Sequence, residues 1–281
     1  MERIPLLLAA LGVVSAAAYA APELTVTNFG QSIESENVSG ANDVDDLWLW
    51  NTVGLKYDDW SFGFQGAKKW GYNHNNDDIK GVDNRIQLDA WKRINEDLKL
   101  GVRYRGDRDL ERFMARYDYS HGMFLSSGDF WYQVNDKNND PDTLRAEWFP
   151  IGVKIGPVTA KYLCDYTEIV GGISGEEKKS SVEHQLRLYA PLYTWNKLCL
   201  STEARITLHA EEEYNKTKGY STYEDFGRNR LYLKANYALT ENLDVFGTFG
   251  YEMRKYKGKE GANNANDDYW SNVVVGYNYK F

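Results

Sequence analysis

Residues 272–281 read NVVVGYNYKF, and they divide by parity. Val273, Val275, Tyr277, Tyr279 and Phe281 are apolar or aromatic, while Asn272, Gly276, Asn278 and Lys280 are small or polar; Val274 alone breaks the second set. Successive side chains of an extended chain point to opposite faces, so this is a strand with one greasy face and one wet face. The same alternation recurs upstream. Leu98, Leu100, Val102 and Tyr104 interleave with Lys99, Gly101, Arg103 and Arg105, and Leu198, Leu200, Ala204 and Ile206 with Cys199, Ser201, Glu203 and Arg205. A soluble sandwich alternates in this way too, so periodicity alone does not choose the architecture.

Connection lengths choose it. The pattern predicts strands at 23–35, 46–57, 60–72, 83–94, 98–106, 111–120, 124–134, 143–155, 158–169, 182–192, 198–211, 226–238, 243–256 and 268–281. Links after even-numbered strands are short, such as Asp58-Asp59 and Gly156-Pro157. Most links after odd-numbered strands are long and polar, as in NDKNNDPD (135–142) and KGKEGANNAND (257–267). Turns at one end and loops at the other are the habit of a membrane-spanning up-and-down barrel, and a sandwich has no reason to sort them. The expected fold is therefore all-β: one closed antiparallel transmembrane barrel of about fourteen strands, with twelve or sixteen as alternatives. Both chain ends would lie at the short-turn end. The eighth strand carries an irregularity: Pro150 lacks a donor, and the apolar phase slips from Leu144, Ala146 and Trp148 to Ile151, Val153 and Ile155, which predicts a bulge.

Composition and the N-terminus fit this reading. The 281 residues include 21 Tyr, 11 Phe and 9 Trp, with a formal net charge of −8 and a mean hydropathy of −0.61. Barrel strands average out as polar, and aromatic girdles account for the rings. No basic tract exists to neutralise phosphates, so nucleic acid is not expected as a partner. Residues 4–14 form a short apolar run that leads to Ala18-Tyr19-Ala20, the pattern of a cleavable secretory signal over residues 1–20, with a retained helix as the alternative. The remaining residues, 21–281, show no domain boundary.

A barrel surrounded by hydrocarbon must turn its charges inward, because Arg or Lys facing the bilayer midplane costs about 2–4 kcal/mol. Parity then lists the lumen. Its charged lining is expected to include Arg85, Arg103, Arg105, Arg112, Arg116, Arg145, Glu147, Glu183, Arg187, Glu203, Arg205, Arg230 and Glu252; Lys161, Asp165, Lys234 and Arg254 share their parity. Fourteen strands ~4.8 Å apart and tilted ~40° enclose a backbone diameter of roughly 28 Å, wide enough for water. Arginines concentrate on the fourth to sixth strands and carboxylates elsewhere, which predicts opposed basic and acidic walls; mutual pairing that merely braces the wall is the plainer reading.

Aromatic residues near strand ends read as membrane-interface anchors: Tyr57, Trp60, Tyr193, Trp195, Tyr277, Tyr279 and Phe281 at the short-turn rim, Trp70, Tyr72, Trp131, Tyr132, Tyr251, Tyr256 and Trp270 at the other. The four histidines, His74, His121, His184 and His209, show no metal-ligand spacing, and no G-x-S-x-G elbow is present. No catalytic residue, metal or cofactor is expected. Cys164 and Cys199 fall on non-neighbouring strands with opposite parity, so no disulfide is expected.

Over residues 21–281 the chain resembles monomeric fourteen-stranded outer-membrane porins of the porin G kind and the fusobacterial major porin FomA. The resemblance rests on the architecture, on LRLYAPL at 186–192 and on VGYNYKF at 275–281. It implies that Tyr277, Tyr279 and Phe281 are a C-terminal signal for the barrel-assembly machinery. Porin G-like channels gate through facing lumen histidines, and this sequence has none on its twelfth or thirteenth strand. General trimeric porins fold a long third loop into the pore; here the corresponding link, around Gly106 to Leu110, is the shortest outer one, which implies a monomer. The resemblance implies a passive channel in the bacterial outer membrane for ions and small hydrophilic solutes, with acidic oligosaccharides as a variant. The competing expectation is a non-conducting barrel whose acidic outer loops bind a surface partner.

Overall fold

The computed structural model describes residues 23–37, 44–73, 78–135, 141–171, 178–214, 222–257 and 268–281. The signal-like segment, His74 and most of the long polar links lie outside the described residues. The described chain forms fourteen strands: β1 (Thr25–Asn37), β2 (Asp46–Tyr57), β3 (Trp60–Asn73), β4 (Asp78–Arg93), β5 (Leu98–Gly106), β6 (Leu110–His121), β7 (Phe124–Asn135), β8 (Asp142–Ile155), β9 (Val158–Val170), β10 (Lys178–Trp195), β11 (Leu198–Tyr214), β12 (Thr222–Ala238), β13 (Leu243–Lys257) and β14 (Asp268–Lys280). Each pairs antiparallel with its neighbours, and β1 pairs with β14, so the sheet closes on itself. Closure satisfies every ladder and leaves no edge, which is what a strand protein needs in hydrocarbon.

Parity holds around the wall. Phe64, Leu88, Val102, Phe113, Leu231, Phe249 and Val273 are exposed on the outside, in an apolar belt that excludes charge from the lipid face. At the short-turn end the links Asp58-Asp59, Gly122-Met123, Gly156-Pro157 and Asn196-Lys197 are two-residue hairpins. The first residue of each has φ between 51° and 58°, the twist that a tight antiparallel turn requires. The expected bulge is present: the β8–β9 register jumps between Trp148 and Ile151, passing over Phe149 and Pro150. Cys164 and Cys199 are both free thiols.

The wall is uneven in height. β5 has 9 residues, and a three-residue link, Asp107-Arg108-Asp109, joins it to β6. β10, β11 and β12 have 18, 17 and 17, because their hairpins extend beyond the sequence-expected limits. At ~3.3 Å per residue and a tilt of ~40°, nine residues rise ~23 Å, about the height of the apolar belt, and eighteen rise about twice as far. One side of the barrel is level with the belt and the other projects past it.

Candidate functional site

On the low side, Asp107 and Asp89 are each shared between two arginines. Asp107, in the β5–β6 link, accepts from Arg85 Nε at 2.5 Å and from Arg105 at 3.0 Å. Burial alone would raise the Asp107 carboxyl, but the two guanidinium groups outweigh it and hold it below the usual carboxylate range. Asp89 accepts from Arg103 and from Arg116, each at 2.7 Å, and Arg116 also grips Asp129 at 2.7 Å. Trp91 lies flat across Gly101, where a Cβ would come within 2.6 Å of the indole, and Arg116 stacks on that ring at 4.6 Å. Arg112 differs, since its Nε donates to the neutral Gln133 at 2.8 Å.

On the tall side the register produces rows of like charge. Asp129, Glu147, Asp165 and Glu183 stand side by side on β7, β8, β9 and β10. Nearer the short-turn end, Lys161, Arg187, Arg205 and Arg230 stand side by side on β9, β10, β11 and β12. Like charges directly across a ladder repel. The structure compensates at the flanks: Arg116 holds Asp129, Arg228 holds Glu183 at 2.8 Å, Glu203 holds Arg205 at 2.7 Å, and Glu252 holds Arg230 at 2.6 Å. Glu252, only 2% exposed, also binds Arg254 at 2.6 Å and Arg228 at 3.2 Å. Aromatic rings supply the rest, with Arg230 over Trp270 at 4.0 Å and Arg205 over Tyr232 at 5.0 Å.

The middle of the two rows is not compensated in this way. Among the described residues, Glu147 has no hydrogen-bond or ion-pair partner, and the cation on Asp165 is Arg145 at 3.9 Å. Arg187 donates Nε to Gln185 at 3.1 Å, and neither it nor Lys161 meets a carboxylate at ion-pair distance. Both instead sit over Phe149, at 5.1 and 5.4 Å. A cavity of about 210 Å³ is lined by the carboxylates Glu147, Asp165 and Glu252, by Gln185, and by the cations Arg145, Arg187, Arg205, Arg228 and Arg230. A second, of about 270 Å³, has Glu147, Phe149 and Lys161 in its lining together with Trp91, Arg116, Asp118 and Asp129.

Of the thirteen charged residues expected to line the lumen, Glu203 pairs with Arg205 and Glu252 with Arg230; most of the others take partners outside the set, as Arg145 donates to Thr167 at 3.0 Å. The expected opposition of a basic and an acidic wall does not survive. Asp107 and Asp129 neutralise the arginines of β4–β6, while Arg187, Arg205, Arg228, Arg230 and Arg254 stand among the carboxylates. The girdle reading fails for Trp131, Tyr256 and Trp270. Trp131 and Trp270 are buried, 5% and 7% exposed, beneath Arg145 and Arg230, and Tyr256 packs on Tyr223 next to Arg228. At the chain end Phe281 is exposed and meets Tyr279 edge-on at 5.0 Å, and Tyr277 packs against Phe29 at 6.3 Å.

Among the described histidines, His121 contacts Asp97, His184 contacts Tyr162, and His209 contacts Asp225 and Glu211. No group of three or more His, Cys, Asp or Glu among the described residues is placed to hold a metal ion.

No family model matches the sequence, and no curated protein sequence matches it. Solved structures do match. A "bacterial polysaccharide outer membrane secretin" superposes with a TM-score of 0.54 at 9% identity, covering 91% of this chain and 98% of that one. The CymD monoaromatic hydrocarbon channel gives 0.51 at 9% identity, covering 93% and 89%. The anion-selective porin from Comamonas acidovorans gives 0.45 at 12%, covering 92% and 100%. The fold is that of the outer-membrane β-barrels.

Proposed function

We propose that this chain is an outer-membrane porin, a passive diffusion channel for ions and small hydrophilic solutes that needs no cofactor. The observation that carries the reading is a closed wall, apolar outside and densely charged within, in which every described residue belongs to the wall or its links. The three-residue β5–β6 link is too short to fold back across the lumen. Charged groups held around a lumen of this width keep it hydrated, and a hydrated lumen conducts.

The kinship to porin G-like and FomA-like barrels, export by residues 1–20 and recognition of Tyr277, Tyr279 and Phe281 by the assembly machinery belong to the same proposal. So does residence in the outer membrane of a Gram-negative cell. The test is the current through the refolded protein in a planar bilayer. Stable open-channel steps are expected, and their absence from protein that shows the heat-dependent gel shift of a folded barrel would overturn the channel.

The tall wall favours a second reading, surface binding. Glu211 and Glu213 are exposed on the projecting part of β11, where Glu211 meets His209 and Glu213 meets Lys179, a mixed-charge face open to a surface partner. A barrel that binds cells but carries no current would select this reading.

A further inference from the structure

We propose that a second copy of this chain docks on the outer face of β14, β1, β2 and β3, about a twofold axis along the membrane normal. The inference needs only a barrel in a bilayer, whether or not it conducts, and it replaces the monomer that the short β5–β6 link implies. Tyr277, Gln31, Asn51 and Gly66 stand side by side on these four strands, on the same face as the exposed Phe29, Ile33 and Phe64. Gln31 Nε2 donates to Asn51 Oδ1 at 2.9 Å, and among the described residues neither side chain has another hydrogen-bond partner. Asn51 is exposed and lies six residues from Tyr57 at the short-turn rim, which puts it ~15 Å into an apolar belt ~25 Å tall. The pair therefore leaves an amide N–H and a carbonyl oxygen open in hydrocarbon, where no water can complete them.

What is left over is complementary to itself. Asn51 keeps a donor, with its partial positive charge, and Gln31 keeps an acceptor, with its partial negative charge. A twofold axis between β1 and β2 sets Gln31 opposite the partner's Asn51 and Asn51 opposite the partner's Gln31, so two further bonds close a ring of four amides. The same axis sets Tyr277 opposite the partner's Gly66. Two cylindrical walls curve apart on either side of their line of contact, and a tyrosine ring spans that widening onto a bare residue; around Gly66 a Cβ would meet nothing within 4 Å in its own barrel. The flanking rows are apolar, with Ile33 opposite the partner's Leu49 and Phe29 opposite the partner's Val53. Lys68, also on this face, lies against Gly81 on β4 and so leans away from the axis. Amide side chains join helices across hydrocarbon by such bonds, and a strand wall meets the same solvent.

The test uses the full-length protein refolded in lipid vesicles, with the free thiols Cys164 and Cys199 replaced by serine. Ile33→Cys protein is mixed with Leu49→Cys protein and oxidised; both keep the amides. The mixed disulfide should form at least five-fold faster than the disulfide between two copies carrying Ile151→Cys, which lies on β8 on the opposite side of the barrel. Adding Gln31→Leu with Asn51→Leu to both proteins should cut its yield at least five-fold. Gly66→Phe, which leaves the amides in place, should do the same, and each variant should keep the heat-dependent gel shift of a folded barrel. No preference over the Ile151 control, or an unchanged yield in either folded variant, would overturn the second copy and leave this face to lipid or to another outer-membrane protein. The first comparison retains every amide, so it decides the matter even where a variant fails to fold. Current is not a readout here, so a barrel that carries none leaves the result standing.

Discussion

The low wall of β4–β6 and the tall wall of β9–β13 use the same residue types to opposite ends. On the low wall Asp89 and Asp107 each bridge two arginines, so charge is neutralised locally and short strands are cross-braced. On the tall wall the register puts like charges beside each other, and neutralisation occurs at the flanks. Charge in a pore can therefore serve as mortar or as a surface presented to solute. Neighbours across the ladder decide which, and composition does not.

The largest effect that would break this contrast is at Glu252. Glu252→Gln removes the carboxylate shared by Arg228, Arg230 and Arg254 and should cost about 3–5 kcal/mol of barrel stability, read from urea unfolding in lipid vesicles. A loss below about 1 kcal/mol would mean that the flank neutralisation is ornamental. On the low wall, Arg116→Gln strips a partner from both Asp89 and Asp129 and should cost about 2–4 kcal/mol. The effect is smaller because Arg103 still holds Asp89.

Asp107→Asn sharpens the comparison through pH. Its folded pKa is depressed, so its contribution is fully present above the unfolded value of ~3.9 and is lost as pH falls through the lower folded value. The wild type should lose stability in that acid window, whereas the Asn variant should lack this loss and be less stable than the wild type at neutral pH. The smallest change in stability belongs to Lys161→Gln with Arg187→Gln. Removing two adjacent like charges should move stability by less than about 1 kcal/mol, while the reversal potential under a salt gradient moves toward cations. An unfolding shift as large as that of Arg116→Gln would show that these cations brace the wall after all.

Much of this was legible from alternation. The fourteen strands and the bulge at Pro150 each follow from period-two patterning and a missing donor. Pairing was not legible. Asp107 sits in a link, where parity assigns no face, and Asp129 lies on β7, whose apolar phase is mixed. Without those two aspartates the β4–β6 arginines outnumber their local carboxylates, Asp89 and Asp118. Arg228 lies next to a register jump between Tyr223 and Arg228, which sequence spacing does not reveal. The error at Trp270 was avoidable, because it shares parity with Asn272 and so belongs inside. An aromatic ring at a strand end reads as an anchor, yet an indole face serves a guanidinium as well as it serves a headgroup.

The two stacked rows carry an electrical consequence. Along β7–β12 a row of carboxylates lies toward the long-link mouth and a row of cations toward the short-turn mouth, which makes this side of the bore polar along its axis, like the junction of a diode. Under one voltage polarity mobile ions accumulate between the bands; under the other they are swept out. Current–voltage curves should therefore rectify, and the sense of that asymmetry would report which way each inserted molecule is facing.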